Sequence, residues 1–149
     1  MSEPNSSTDA STHSVIVRAA TSSDLNNIDA FLTDFVSAGR ILPRTSDELE
    51  LLIPTGFVAE VQNQIVGFVA LEIYSRKLAE IRSLCVRPIM QGQGVGKDLI
   101  QACLKLARER NVFEVMAITS TDKFFLNCGF DFTLPGEKKA LFMQMRDEP

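Results

Sequence analysis

The sequence predicts an α/β (α+β) fold, a mixed and largely antiparallel sheet of six to seven strands with helices on both faces. Strand-like and helix-like segments follow one another as β-α-α-β-β-β-α-β-α-β-β. A long amphipathic helical pattern leaves an apolar strand through a loop with glycines at alternate positions 92, 94 and 96. The 149 residues, 45% of them hydrophobic, suit one domain with a sizeable core. The chain divides into a polar tail over residues 1–14, expected to be disordered, and a single domain over 15–149.

Ser14 to Arg18 reads as the first strand. Thr21-Ser-Ser-Asp24 offers an N-cap, and Leu25, Ile28, Phe31, Leu32 and Phe35 mark one face of a helix ending near Gly39. Pro43 breaks the chain, and Thr45-Ser-Asp-Glu48 is a capping box for a short helix through Leu52. Gly56 to Val61 and Ile65 to Tyr74 form a hairpin around Gln62-Asn63-Gln64. Glu80 to Val86 is the next strand. The long helix runs from Gly94 to about Arg110, with Val95, Leu99, Cys103 and Ala107 on one stripe and Ile100 and Leu104 beside it. Val112 to Ile118 reads as a fifth strand and Thr121 to Asn127 as a short helix. Phe130 to Thr133 and Ala140 to Arg146 close the chain as a hairpin.

The loop Gln91-Gly92-Gln93-Gly94-Val95-Gly96-Lys97 carries the strongest functional signal. Glycines let backbone approach a ligand, and a helix start adds unpaired N–H groups and the positive end of its dipole. Together they form a seat for a phosphate or pyrophosphate. A Walker A loop is excluded, because Asp98 follows Gly96-Lys97 and no glycine sits five residues before Gly96. The dinucleotide fingerprint G-x-G-x-x-G does not match the G-x-G-x-G spacing, which moreover lies in the second half of the chain.

Composition narrows the chemistry further. A net charge of −4 without a basic stripe argues against nucleic acid as a partner. No apolar run reaches the roughly 20 residues of a membrane span, and the N-terminus has no secretory signal pattern. Cys85, Cys103 and Cys128 lie among apolar neighbours without C-x-x-C spacing, which predicts reduced thiols and a cytoplasmic protein. The one histidine, His13, falls in the tail, so Ser–His or Cys–His catalysis and a His-ligated metal are not expected.

The remaining pattern, Q/R-x-x-G-x-G/A over Gln91 to Gly96 after a V-x-P strand end, resembles the acetyl-CoA loop of the GNAT N-acetyltransferases. The element order over Val15 to Arg146 is similar to theirs, as is Cys128-Gly129-Phe130 after a short helix. More narrowly, the chain resembles the acetyltransferase domain of bacterial N-acetylglutamate synthase. That resemblance rests on Leu42-Pro43-Arg44-Thr45, Glu80 to Val86, Phe124-Phe125 to Phe130, and Leu134-Pro135 through Lys138-Lys139 to Arg146. It implies a GNAT fold, acetyl-CoA as cosubstrate, no metal, and a small-molecule amine as acceptor, with L-glutamate favoured. Dimers joined through sheet edges are common in such families. Those synthases usually carry an arginine-binding amino-acid-kinase-like domain that the 149 residues do not contain, so feedback by arginine in that manner is not expected.

The resemblance also implies roles. Backbone N–H groups from Gln91, Gly92, Gln93, Gly94, Val95, Gly96 and Lys97 would hold the pyrophosphate. Leu84, Cys85 and Val86 would pair their backbone with the pantetheine arm, and a strand N–H would stabilise the oxyanion. Glu80 would act as general base through a water. Phe125 stands where many GNAT enzymes place a tyrosine that protonates the leaving thiolate. Thr121, a candidate N-cap, or a water would take that part. Arg44 and Arg146, with Leu42, would hold the carboxylates of glutamate, since arginine gives a planar bidentate fork. Two alternatives stay open: a GNAT enzyme for protein or other cationic amines, served by Asp47, Glu48 and Glu50, and a non-catalytic acyl-CoA-binding module.

Overall fold

The computed structural model describes residues 14–132 and 140–147. The polar tail up to His13, the stretch from Thr133 to Lys139 and residues 148–149 lie outside the described residues. Five strands form one sheet in sequence order: β1 (Ile16–Ala19), β2 (Gly56–Val61), β3 (Gln64–Ile73), β4 (Leu78–Val86) and β5 (Glu114–Met116). The pairs are antiparallel up to β4, and β5 runs parallel to β4. Between them lie helices α1 (Leu25–Ser37), α2 (Ser46–Leu52), α3 (Val95–Glu109) and α4 (Asp122–Asn127).

Strand alternation splits the core in two. On one face Val69, Leu71, Ala79 and Ile81 meet Leu99, Ile100 and Cys103 of α3 and Phe125 of α4. On the other, Val58, Phe68, Ala70 and Cys85 meet Ile28, Phe31, Leu32 and Phe35 of α1 and Leu49 and Leu52 of α2. The expected stripes of α1 and α3 are therefore the buried ones. Each such side chain contributes about 1.5–3 kcal/mol on leaving water. Close packing of α3 on the sheet requires a glycine at 67, where an added Cβ would lie 2.9 Å from Leu99 Cδ1.

Local signals act as read. The Glu48 N–H donates to Thr45 Oγ1 at 3.1 Å and the Thr45 N–H donates to Glu48 Oε2 at 3.3 Å, completing the capping box of α2. The β2–β3 hairpin turns on Gln62 and Asn63, both with positive φ as a two-residue primed turn demands. Thr21 differs slightly from expectation, opening a single 3-10 turn (Ser22–Asp24) before α1 rather than α1 itself.

Among the described residues the sheet has five strands, not six to seven. Residues 130–132 and 140–147 are in no strand, so the expected closing hairpin is not formed among the described residues. Leu141, Phe142, Met143 and Met145 are 78–90% exposed. An apolar run reports β-propensity, whereas a strand also needs an edge to pair with and a face to cover it. The fifth strand is likewise only three residues long, because its ladder to β4 spans Leu78↔Glu114 to Glu80↔Met116 alone.

Two irregularities in β4 shape the molecule's open end. Pairing with β5 stops at Glu80, so among the described residues the outer edge of β4 from Ile81 to Val86 has no strand beside it. Pairing with β3 passes from Ala70↔Arg82 to Phe68↔Cys85, setting Ser83 and Leu84 opposite Val69 alone. Ser83 sits at this bulge with φ +57°, a left-handed conformation uncommon for a residue bearing a Cβ.

Candidate active site

The glycine loop joins the C-terminal end of β4 to α3. Pro88–Met90 forms a 3-10 turn, and Gly92 and Gly94 take φ of +81° and +83°. An added Cβ at either would meet nothing within 4 Å, so this side of the loop is open. The first backbone bond of α3 runs from the Asp98 N–H to the Gly94 carbonyl at 3.0 Å. The N–H groups of Val95, Gly96 and Lys97 precede it and are available to an anion. Gly96 answers a different need: its Cβ would lie 3.2 Å from the Phe124 ring, where α4 rests on the start of α3. Gln91 and Gln93 turn their amides back onto the carbonyls of Val86 and Ile89, both at 3.3 Å. Their side chains thus brace the loop.

Beside the loop, Leu84, Cys85 and Val86 lie on the unpaired outer stretch of β4. The Cys85 thiol is buried and pushed up to about 12, as is that of Cys103, while burial also raises that of Cys128. All three are poor nucleophiles at neutral pH, consistent with packing roles. Phe125 is buried, edge-on to Phe124 and Phe130 at 5.1 and 5.3 Å, and belongs to the core under the loop.

Glu80 is 7% exposed and faces the α1/α2 side of the sheet. Its Oε1 accepts from the Tyr74 hydroxyl at 2.5 Å and lies 3.4 Å from an Arg82 guanidinium nitrogen. The same Arg82 nitrogen reaches Glu72 Oε2 at 2.9 Å and Tyr74 at 3.3 Å. Tyr74 is pushed up to about 12, first by burial of its hydroxyl and then by the Glu80 carboxylate, so it remains a donor at neutral pH. Sequence reading named Glu80 and missed Glu72, Tyr74 and Arg82. Glu72-x-Tyr74 and Glu80-x-Arg82 have one parity on neighbouring strands, but only the Glu72↔Glu80 register brings them together.

Arg44, in the loop between α1 and α2, donates from Nε to Ser83 Oγ at 2.8 Å. Its two terminal nitrogens make no hydrogen bond among the described residues. Burial holds its guanidinium below the ordinary value, and the neighbouring charge of Arg82 acts in the same direction. Arg44, Leu42 and Pro43 line a cavity of about 140 Å³ with Leu32, Leu49 and Asp29. Arg146 is not brought to this group: it is exposed, in the unpaired segment 140–147, with no ion pair among the described residues. That segment has no strand ladder to aim it inward. Asp47 and Glu50 are exposed, and Glu48 is engaged in the cap of α2.

Thr121 occupies the N-cap position of α4 without making the expected capping bond. Its hydroxyl pairs with that of Thr119 at 2.9 Å, and its N–H also donates to Thr119 Oγ1. Among the described residues no group of three His, Cys, Asp or Glu side chains could hold a metal ion, and no helix is long and apolar enough to cross a membrane.

The chain is similar to known proteins in sequence and fold. Residues 28–130 match the model of the acetyltransferase (GNAT) family. An amino-acid acetyltransferase of Mycobacterium tuberculosis is 31% identical over 119 residues, covering 77% of this chain and 67% of the relative. An uncharacterised N-acetyltransferase of Chlorobaculum tepidum is 32% identical over 114 residues, covering 76% and 74%. N-acetylglutamate synthase of Neisseria gonorrhoeae, solved with coenzyme A and N-acetyl-glutamate, superposes with a TM-score of 0.69 at 28% identity. This match covers 76% of this chain but 27% of that one.

Proposed function

The chain belongs to the acetyltransferase (GNAT) family, and from that premise we propose that it transfers the acetyl group of acetyl-CoA to the amine of an acidic amino acid, L-glutamate in particular. The observation that carries the acceptor assignment is Arg44: anchored through Nε on Ser83, it leaves both terminal nitrogens for a carboxylate beside the open edge of β4. The amino-acid acetyltransferase relative and the synthase solved with N-acetyl-glutamate support the same class of acceptor.

The residues divide the work as follows. The N–H groups of Val95, Gly96 and Lys97 and the open face at Gly92 and Gly94 take the pyrophosphate, where charge-assisted bonds and the helix dipole act together. The unpaired edge of Leu84 to Val86 takes the pantetheine amides as an added strand would. The bulge at Ser83 and Leu84 turns a backbone N–H toward the thioester carbonyl, stabilising the oxyanion as the amine nitrogen attacks. Glu80 removes a proton from the acceptor through a water, and the C–S bond breaks to release the thiolate. With a thiol pKa of about 8.5 that leaving group needs little acid help. The Thr119–Thr121 hydroxyl pair or water returns its proton, since Phe125 has no hydroxyl. Arg44 holds one acceptor carboxylate, with Leu42 at its side. The second carboxylate, assigned from sequence to Arg146, requires the 140–147 segment to fold inward when the acceptor binds.

An acceptor carrying positive charge is disfavoured by Arg44 and Arg82 at the site, and the acidic residues of α2 do not line it. Replacement of Arg44 by Ala tests the assignment. It is expected to cost about 1.5–3 kcal/mol in kcat/KM for glutamate, the worth of a charge-assisted bond, with KM for acetyl-CoA little changed. An equal loss for every amine would refute it.

A further inference from the structure

Glu72, Tyr74, Glu80 and Arg82 form a closed polar cluster on the α1/α2 face of β3 and β4. Every contact to Glu80 falls on one oxygen. Oε1 accepts from Tyr74 and faces Arg82, whereas Oε2 has no partner among the described residues. No buried side-chain nitrogen or oxygen lacks a partner among the described residues, so Oε2 is the oxygen that reaches solvent.

We propose that Tyr74 is a positioning residue for the transfer reaction: its hydroxyl, with Arg82 behind it, locks the Glu80 carboxylate in one rotamer and leaves Oε2 as the single oxygen that takes the acceptor's proton. This inference rests on the acetyl-transfer reading of the site. In the step, one ammonium N–H bond breaks and its proton passes through water to Oε2. The freed nitrogen pair then attacks the thioester. Tyr74 neither gains nor loses a proton. A carboxylate with two equivalent open oxygens would present its lone pairs in several directions, and fixing one geometry lowers that cost. The charged groups around Glu80 are Glu72 from β3, Arg82 from β4 itself, Arg44 from the α1–α2 loop and, farther off, Glu48 of α2. On β5 the register partner is Met116, which does not titrate.

The test compares kcat and the KM for each substrate in wild type, Tyr74→Phe, Glu80→Gln and the double variant. Tyr74→Phe keeps the ring and removes only the donor. A donor to the Glu80 carboxylate is thereby lost while the packing of the ring is kept. The expected fall in kcat is roughly three- to tenfold, with KM for acetyl-CoA unchanged. In the Glu80→Gln background the same substitution is expected to add no further loss. A Tyr74→Phe enzyme with wild-type kcat, or a double variant that shows the full additional loss over Glu80→Gln, overturns the role of Tyr74 while leaving the acetyl-transfer reading intact. A wild-type enzyme silent with every amine overturns both.

Discussion

Glu80 lies on β4 and Arg44 in the loop before α2, and hydrogen bonds set both: Tyr74 and Arg82 hold the carboxylate, and Ser83 holds the guanidinium. Removing the proposed base should therefore act on turnover rather than on cosubstrate binding. Glu80→Gln is expected to lower kcat by about 10²–10⁴, the usual worth of general base catalysis, with acetyl-CoA affinity retained; steady-state kinetics at saturating acetyl-CoA check this. A loss confined to KM would remove Glu80 from the chemistry. At this scale the sequence made Glu80 and Arg44 legible through the family's residue pattern, while their supports stayed hidden. Arg82 reads as an ordinary strand arginine until the register sets it beside Glu72 and Glu80. Arg146 is exposed in a segment that forms no strand among the described residues, and a residue type suited to carboxylates says nothing of whether its segment is held near them.

The glycine loop and β4 illustrate the element scale. Gly94 and Gly96 stand two apart and serve distinct purposes, one an open left-handed turn and the other a close approach to Phe124. Gly94→Val is expected to weaken acetyl-CoA binding roughly tenfold or more, about 1.4 kcal/mol, by projecting into the anion's approach. Its left-handed strain adds about 1–2 kcal/mol to the loss of stability. Gly96→Val should instead push the Phe124 ring and lower the melting temperature, with weaker binding as a consequence of displaced α4. Calorimetric titration and thermal unfolding separate the two, and identical profiles would deny the loop its division of labour. The helices were legible because their stripes are long and bounded by caps. The bulge at Ser83 was not, because no glycine or asparagine marks that left-handed residue. The closing hairpin misled because its apolar pattern lacks a partner edge.

Across the whole molecule, Arg18 of β1 ties the first 3-10 turn to β2 through Asp24 at 2.8 Å and Glu60 at 3.0 Å. The Arg18 guanidinium holds the Asp24 carboxyl well below the usual carboxylate range, against the opposing effect of burial. A depressed carboxyl contributes stability that is complete above the unfolded value of about 3.9 and is lost as pH falls through the lower folded value. The protein is thus expected to lose stability steadily on acidification below about pH 4, and Asp24→Asn should flatten that slope. At neutral pH the same variant should be less stable by roughly 1.5–3 kcal/mol. Urea unfolding at several pH values reads both, and a variant with the wild-type acid slope would show that another group carries it. This network lies far along the sheet from β4, so acetyl transfer at neutral pH should survive its loss in the folded fraction.

Acceptor identity is the centre of the account, and release of free CoA from acetyl-CoA with each amino acid in turn tests it most directly. The arrangement of Arg44, Glu80 and the open β4 edge predicts thiol release with L-glutamate well above that with neutral or basic amino acids, and N-acetylglutamate as the product. Release with lysine, polyamines or peptide amines but not with glutamate would contradict it.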